Sequence, residues 1–158
     1  MPVYLVRHAN AGNRYEWTGL ELERPLTRSG RRQADAIAQR LRTERVTRLL
    51  SSPYLRCRQT LEPLATALDL PIEITPELAE GLDFNAVVEL LERLPEQSVL
   101  CSHGDVIPAV VRALQWRGLV LDGPTDTRKA AIWVLERVGR DCWARASVIA
   151  PPKTGLLR

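Results

Sequence analysis

Apolar residues in this chain cluster in short runs that alternate with longer amphipathic segments. The first run, residues 2–7, is almost continuously apolar, which is typical of a strand buried on both faces of a parallel sheet. Later runs predict further strands at residues 46–51, 71–75, 98–102, 131–136 and 142–149. The sequence thus predicts six strands, with polar residues following several of them.

Between these runs, apolar residues recur every three or four positions, which predicts helices. The first helix follows Thr27, the expected capping residue, and its apolar face consists of Ala34, Ile37, Ala38 and Leu41. Two later helices are predicted over 86–94 and 105–116, the second with Pro108 in its first turn.

The helix after the second strand carries two local signals. Ser52 and Pro53 match a capping hydroxyl followed by proline at the first helical position, so we expect the helix to begin there. Pro63 has no N–H to donate, so we expect a kink or break near it.

Alternating strands and helices predict an α/β fold, a three-layer α/β/α sandwich with a mostly parallel central sheet. A length of 158 residues fits one domain, which we assign to residues 1–150, with 151–158 as a loosely attached C-terminal tail. Residues 9–25 lack a sustained period and predict a long loop with one helical turn.

Three polar segments directly follow predicted strands: Arg7-His8, Ser51-Ser52 and Ser102-His103-Gly104. Ligands of open α/β sheets bind at the carboxyl ends of the strands, so we expect these segments to meet. His8 and His103 are the only histidines in the chain, and both occupy such positions.

Phosphoryl transfer requires an unprotonated nucleophile and fixed positive charge around the transferred group. Neutral imidazole supplies a lone pair near neutral pH, and Arg7 and Arg56 can supply the charge. The formal net charge is +3, and the basic residues are almost all arginine, whose planar fork binds phosphate through two parallel hydrogen bonds.

Three segments, Arg7-His8-Ala9, the Ser52 to Thr60 stretch SPYLRCRQT and Ser102-His103-Gly104, resemble in order and spacing the signature segments of the histidine phosphatase (phosphoglycerate mutase-like) superfamily. The short chain and the segment LTRSGRRQA at 26–34 are most similar to its compact SixA-like branch. The resemblance implies that His8 becomes phosphorylated while Arg7, Arg56 and His103 hold the phosphoryl group.

One residue departs from the family pattern, because Ala9 stands where the family usually has glycine. If this position required a positive φ, alanine would cost more than glycine. We therefore expect an effect on rate rather than on reaction type.

The residue that protonates the leaving group is less sharply defined. Glu80 lies in a segment similar to the one that carries the family's acid, and a carboxyl group there can pass a proton to the departing oxygen. Glu77 and Asp105 are the alternatives.

Further substrate-binding residues are expected in the loops around the site, namely Asn10, Arg14, Gly104 and Lys129. Arg58 lies two residues after Arg56, about 200° around a helix, and is expected to point away from the pocket.

Composition and motifs argue against a metal or cofactor site, disulfide bonds and a membrane or secreted location. The chain has no glycine-rich P-loop, no H-E-x-x-H motif and no cysteine pair with metal-ligand spacing, so we expect neither a metal nor another cofactor. Its three cysteines, Cys57, Cys101 and Cys142, are expected to be reduced packing residues. No secretory h-region and no apolar run of about 18 residues occur, so we expect a cytoplasmic protein without a membrane partner.

The sequence therefore predicts a phosphatase that hydrolyses a phosphomonoester or phosphohistidine through a phosphohistidine intermediate on His8. Its partner would be a phosphorylated small molecule or a phosphohistidine protein, not a nucleic-acid polymer, and a monomer is the default. One alternative is a catalytically weak phospho-ligand-binding member of the family. A phosphomutase is the other, although mutases of the family tend to be longer.

Overall fold

The structure is a computed structural model that describes residues 1–139 and 142–153. Within these residues the strands are β1 Pro2–Arg7, β2 Arg48–Ser51, β3 Ile72–Ile74, β4 Ser98–Ser102, β5 Val120–Leu121, β6 Ile132–Arg137 and β7 Trp143–Ile149. They form one sheet in the order β3-β2-β4-β1-β6-β7-β5. The helices are α1 Arg28–Leu41, α2 Leu55–Leu68, α3 Phe84–Arg93 and α4 Val106–Trp116.

Two hydrophobic layers cover the sheet, one on each face. Successive side chains of a strand point to opposite faces, so Val3 and Leu5 of β1 enter one layer while Tyr4 and Val6 enter the other. The first layer includes the buried faces of α3 and α4, and the second includes those of α1 and α2. The predicted three-layer α/β/α sandwich is confirmed.

The centre of the sheet is parallel and brings the polar segments together. β4 pairs in parallel with both β1 and β2, so the carboxyl ends of these three strands lie at one edge. β6 runs antiparallel to β1 and β7, while β3 and β5 pair in parallel with β2 and β7. A mostly parallel sheet was predicted and is confirmed.

The predictions for the start of α2 and for a break within it are wrong. The helix begins at Leu55, and its N-cap residue, Tyr54, makes no capping hydrogen bond through its side chain. The hydroxyl of Ser52, the predicted cap, is engaged with His103 instead. The helix also continues past Pro63 to Leu68. Burial of its apolar face outweighs the one backbone hydrogen bond that proline removes.

The bounds of β1 and β4 are as predicted, and the other predicted boundaries differ from the observed ones by at most two residues. Thr27 caps α1 as predicted, since its Oγ1 accepts a hydrogen bond from the Gly30 N–H at 3.1 Å. The helical turn expected between residues 9 and 25 is the 3-10 turn Glu21–Glu23. Strand β5 and a second 3-10 turn, Pro76–Leu78, were not predicted because they are too short to show a period.

The free cysteines divide into two kinds. Cys57 and Cys101 are completely buried, as the packing role predicts. Cys142 is exposed, so that prediction is wrong for this residue, because it precedes β7 rather than facing a hydrophobic layer. Of the predicted tail, residues 154–158 lie outside the described residues, while Pro151 and Pro152 are half-buried.

Candidate active site

His8 follows β1 and is held with one ring nitrogen turned into the protein. Its backbone N–H donates to the Ser102 carbonyl of neighbouring β4 at 3.0 Å. Its Nδ1 lies 2.8 Å from the Ala9 carbonyl oxygen, which can only accept, so Nδ1 carries the ring proton. The lone pair of neutral His8 is therefore on Nε2, where an electrophile would be attacked.

Arg56, in the first turn of α2, is completely buried and lies directly beside this lone pair. Its Nε is 3.4 Å from His8 Nε2, and its Nη1 donates to the Glu21 carbonyl at 3.0 Å. Its Nη2 is 3.1 Å from Glu80 Oε1 in an ion pair that lacks the alignment of a hydrogen bond. The guanidinium is thereby held by two carboxylate-bearing loops.

His103, after β4, faces His8 across the site, with ring centroids 5.4 Å apart. Its Nε2 lies 2.8 Å from Ser52 Oγ, which itself accepts a hydrogen bond from the Tyr54 N–H at 3.3 Å. In the tautomer where the Ser52 hydroxyl donates to Nε2, the proton of His103 is on Nδ1, which lies 3.9 Å from Glu80 Oε2 and has no hydrogen-bond partner.

Arg7 completes the group and explains the glycine after His103. Its Nη1 donates to the Thr127 carbonyl at 2.7 Å. A Cβ added to Gly104 would lie 2.6 Å from Arg7 Cζ and 2.7 Å from its Nη2, so any other residue here would displace the guanidinium from this position. We call the space between His8, Arg7, Arg56 and His103 the cup.

The cup contains buried nitrogen atoms that have no hydrogen-bond partner. They are Arg7 Nε, Arg56 Nη2 and His103 Nδ1, and all three can donate. An unpartnered buried donor is costly, so three in one place indicate a site built for an acceptor-rich ligand. A tetrahedral oxyanion such as a phosphoryl group has that chemistry.

Burial lowers the pKa of His8 well below its ordinary value of 6.5. The hydrogen bond to the Ala9 carbonyl opposes this shift, and the neighbouring His103, Arg56 and Arg7 add to it. His8 is consequently a neutral imidazole at neutral pH, as nucleophilic attack requires.

The three candidate acids occupy different surroundings. Glu80, with a side chain 21% exposed, borders the cup, since its Oε2 is 3.9 Å from His103 Nδ1 in addition to the Arg56 contact. Asp105 is exposed and accepts the Gly81 N–H at 2.9 Å, which holds the Glu80 loop in place. Glu77 lies 3.8 Å from Arg93 on α3.

The predicted substrate-binding residues differ in their position relative to the cup. Arg14 reaches the rim through Glu80, at 3.5 Å. Lys129 is half-buried, and its pKa is lowered by burial and then by Arg7, Arg24, Arg56 and Arg14, so its ammonium faces the cationic side of the site.

The Asn10 side chain is already used within its own loop. It accepts the Gly12 N–H and donates to Ser29 Oγ, which is a structural role that leaves less of its amide for a ligand. Arg58 is half-buried and makes no contact with the cup within the described residues, as its position on the helix predicts.

Ala9 fits its position without strain. Its φ is not among the positive values in the described residues, and its side chain is buried against the α1 and α2 layer. Its N–H donates to Thr60 Oγ1 at 2.9 Å, and that hydroxyl donates to the Arg56 carbonyl at 2.7 Å. The concern that alanine occupies a position needing glycine is therefore removed.

Sequence reasoning gave no role to several residues that hold the site in place, Glu21, Arg24, Tyr54 and Thr60, and it placed Ser52 at the site without its contact to His103. Arg24 is buried and ties Glu21 to the loop, with its Nε 3.0 Å from Glu21 Oε1 and its Nη1 2.6 Å from the Ala11 carbonyl. The Tyr54 ring lies 4.7 Å from the Arg56 guanidinium and 4.9 Å from the His103 ring. Ser52, Tyr54 and Thr60 lie in the motif that contains Arg56, which was the available signal; the Glu21 loop offered none.

Comparison with known proteins agrees with the fold and identifies the family. Residues 3–87, slightly more than half of the chain, match the model of the histidine phosphatase superfamily (branch 1). The chain belongs to this superfamily. The protein histidine phosphatase SixA complexed with tungstate superposes with a TM-score of 0.76 at 24% identity, covering 100% of both chains, so the fold is that of the compact SixA-like branch.

Two curated relatives have higher sequence identity. The 8-oxo-(d)GTP phosphatase of Mycolicibacterium smegmatis is 37% identical over 150 residues, covering 88% of this chain and 47% of that protein. The probable phosphoglycerate mutase GpmB of Photorhabdus laumondii is 36% identical over 133 residues, covering 81% of this chain and 53% of that protein. The chain thus spans about half the length of these curated relatives.

In residues 1–139 and 142–153, no helix is long and apolar enough to cross a membrane. Over the same residues, no group of three or more His, Cys, Asp or Glu side chains is arranged to hold a metal ion.

Proposed function

We propose that the chain is a phosphatase that removes a phosphoryl group from a phosphomonoester or phosphohistidine through a covalent intermediate on His8. The observation that carries the proposal is the cup itself, in which His8 Nε2, 3.4 Å from the Nε of Arg56, lies among three buried donors that make no hydrogen bond. Relatives that are phosphatases, and membership of the superfamily, support the same reaction.

The reaction has two balanced steps. The lone pair of His8 Nε2 forms an N–P bond as the P–O or P–N bond to the leaving group breaks, and the leaving atom takes that electron pair and a proton, which we assign to Glu80. Water then attacks phosphorus and gives up a proton to the Glu80 carboxylate, which restores its acid form, while the N–P bond breaks and its electrons return to Nε2. Arg7, Arg56 and His103 donate to the equatorial oxygens in both steps.

Trapping the phosphoenzyme tests the proposal directly. We expect a ³²P-labelled phosphomonoester, quenched in base because phosphohistidine is acid-labile, to label the tryptic peptide 8–14, which holds His8. His103 lies in a separate peptide, 94–112, so mass spectrometry distinguishes the two histidines. Turnover without a phosphoenzyme, or label confined to peptide 94–112, would contradict the mechanism.

The same assay separates the two alternatives. A phosphomutase would return an isomerised phosphoester instead of inorganic phosphate, which chromatography of the products detects. A phospho-ligand-binding protein would bind inorganic phosphate and hydrolyse no ester or phosphohistidine protein in a substrate panel.

The lowered pKa of His8 predicts how its ring titrates. Because the folded pKa lies well below 6.5, His8 stays neutral as the pH falls through 6.5 and gains a proton only at much lower pH. Its contribution to the free energy of unfolding is complete above pH 6.5 and is lost as the pH falls toward the folded pKa, because the unfolded chain binds the proton first. Ring ¹⁵N shifts measured against pH, assigned with His103→Asn, check this; a His8 midpoint at or above 6.5 contradicts it.

Replacing Glu80 with glutamine tests its role as the acid through the leaving group. We expect Glu80→Gln to lower kcat for an alkyl phosphate by on the order of 10²-fold, because the alkoxide must be protonated as it departs. For p-nitrophenyl phosphate the loss should be much smaller, since nitrophenolate leaves without a proton.

Glu77→Gln is the matched control, because it removes a carboxylate from the neighbouring 3-10 turn that pairs with Arg93 outside the cup. It should affect both substrates equally and slightly. If Glu80→Gln lowered both rates by the same factor, Glu80 would be a positioning residue for Arg56 and not the acid.

A further inference from the structure

A cavity of about 600 Å³ adjoins the cup on the side of Arg7. Its wall includes the cationic residues Arg7, Arg128, Lys129 and Lys153 and the apolar residues Pro151 and Pro152, and among the described residues none that lines it bears a carboxylate. The volume lies within the range of small-molecule sites. Arg7 belongs to both the cup and the cavity, so a ligand could extend from one into the other.

The two lysines distinguish this cavity from the rest of the surface. Lys129 and Lys153 are the only lysines in the chain, and both line it. Neither forms an ion pair with a described residue, whereas Arg128 is neutralised by Asp126 at 2.6 Å. The uncompensated positive charge is thus contributed by the lysines, together with Arg7.

The backbone places Lys129 next to the nucleophile at a conformational cost. The following residue, Ala130, is buried with a left-handed φ of 70°, which is unfavourable for alanine. Its N–H donates to the carbonyls of both Arg7 and His8, at 3.1 and 3.2 Å. This turn fixes the position of Lys129 relative to the end of β1.

We propose that the cavity binds a second phosphate on the leaving group, so that the substrate is a small molecule with at least two phosphates. The inference rests on the proposed phosphatase function and specifies its substrate class. The transferred phosphate occupies the cup, the second lies between Arg7 and the lysines, and Pro151 and Pro152 contact the remaining, less polar part of the ligand. A phosphohistidine side chain carries a single phosphate, so by itself it does not supply this second anion.

The second phosphate can have two sources with the same chemistry. It can be joined directly to the transferred group, as in a nucleoside diphosphate, where His8 Nε2 displaces a phosphate that departs with the P–O electron pair. It can also be an ester elsewhere on the molecule, as in a sugar bisphosphate, where the departing alkoxide also takes a proton. In the first case Glu80 contributes less, because a phosphate leaves without protonation.

Lysine acetylation of the intact chain reports occupancy of the cavity without requiring turnover. We expect inorganic pyrophosphate to slow acetylation of Lys129 and Lys153, measured by mass spectrometry, by severalfold more than inorganic phosphate at equal concentration. The amine of Met1 is distant from the cavity and is the internal control. Equal effects of phosphate and pyrophosphate would overturn the proposal.

Matched substrates test the inference in catalysis. We expect kcat/KM to be about tenfold or more higher for a hexose bisphosphate than for the corresponding hexose monophosphate, or for a nucleoside 5′-diphosphate than for the monophosphate, since each added charge-assisted hydrogen bond is worth roughly that factor. Lys129→Gln should remove most of this ratio. Arg58→Gln, which also removes one positive charge but lies outside the cup, should preserve it.

The outcomes separate this inference from the proposed function. A preference in one substrate pair identifies the source of the second phosphate. Equal kcat/KM within both pairs, or a preference that Lys129→Gln leaves intact, overturns the inference while the phosphatase assignment stands. If the wild type hydrolyses nothing, the phosphatase assignment fails, and protection of the lysines still decides whether the cavity binds two linked phosphates.

Discussion

Replacing His8 with alanine is expected to lower kcat/KM toward p-nitrophenyl phosphate by on the order of 10⁴-fold or more. Without the imidazole no N–P bond can form, and the remaining donors can only stabilise a slow direct attack by water. Initial-rate measurements on purified wild type and variant provide the test. A variant that retained more than about one tenth of the wild-type activity would refute nucleophilic catalysis by His8.

The same variant should still bind inorganic phosphate. Arg7, Arg56 and His103 are unchanged in His8→Ala, and their unpartnered donors remain available. Isothermal titration calorimetry should therefore find phosphate affinity within about tenfold of the wild type, since one neutral hydrogen-bonding group is lost. Loss of both binding and activity, with a lowered Tm, would instead indicate that the cup had collapsed.

Replacing Arg56 with alanine should lower kcat by about 10² to 10³-fold, because a buried charged donor next to the transferred group is lost. Two carboxylates add to the effect. Glu21 Oε2 lies 3.4 Å from Arg56 Nη1, and Glu80 Oε1 lies 3.1 Å from Arg56 Nη2. Without the guanidinium, both carboxylates would repel an incoming phosphate. Steady-state kinetics should show a rise in KM together with the fall in kcat.

Arg58→Ala is the matched control for Arg56→Ala. Both change an arginine of the same helix, but Arg58 is half-buried and makes no contact with the cup. Its activity should remain within about threefold of the wild type, as for most substitutions outside a site. Arg56→Lys should recover only part of the activity, because an ammonium keeps the charge but not the planar fork. Similar losses in Arg56→Ala and Arg58→Ala would show that helix stability, not the cup, governs the rate.

The fold could be predicted to a large extent because its elements are long enough to show a period. The apolar face of α1, with Ala34, Ile37 and Leu41, is buried as its spacing predicts. Proline alone predicted a kink or break at Pro63, but the helix continues through it. Leu61 and Leu64, on either side of Pro63, are completely buried, and their packing holds the helix together. Two-residue strands such as β5 depend on their neighbours and leave no pattern of their own.

The structure places the central residues of the predicted site together at one edge of the sheet. His8 and His103 follow β1 and β4, which are paired in parallel, and Arg56 lies on the helix after β2, which also pairs in parallel with β4. All three residues could therefore be expected at the same edge of the sheet. Their chemical roles are tested by the experiments above. The contacts that distinguish Glu80, Glu77 and Asp105 required the structure, because three carboxylates in loops are equivalent until their surroundings are known.

The sequence by itself determined the order of the elements and which polar residues end which strand, because hydrophobic periodicity and strand ends are local properties of the chain. Only the tertiary structure decided that Glu21 contacts Arg56, that Ser52 orients His103, and that the two lysines share one cavity. These contacts join aperiodic loops to residues far away in the sequence. Their geometry depends on how the two helical layers pack on the sheet, and no local pattern encodes it.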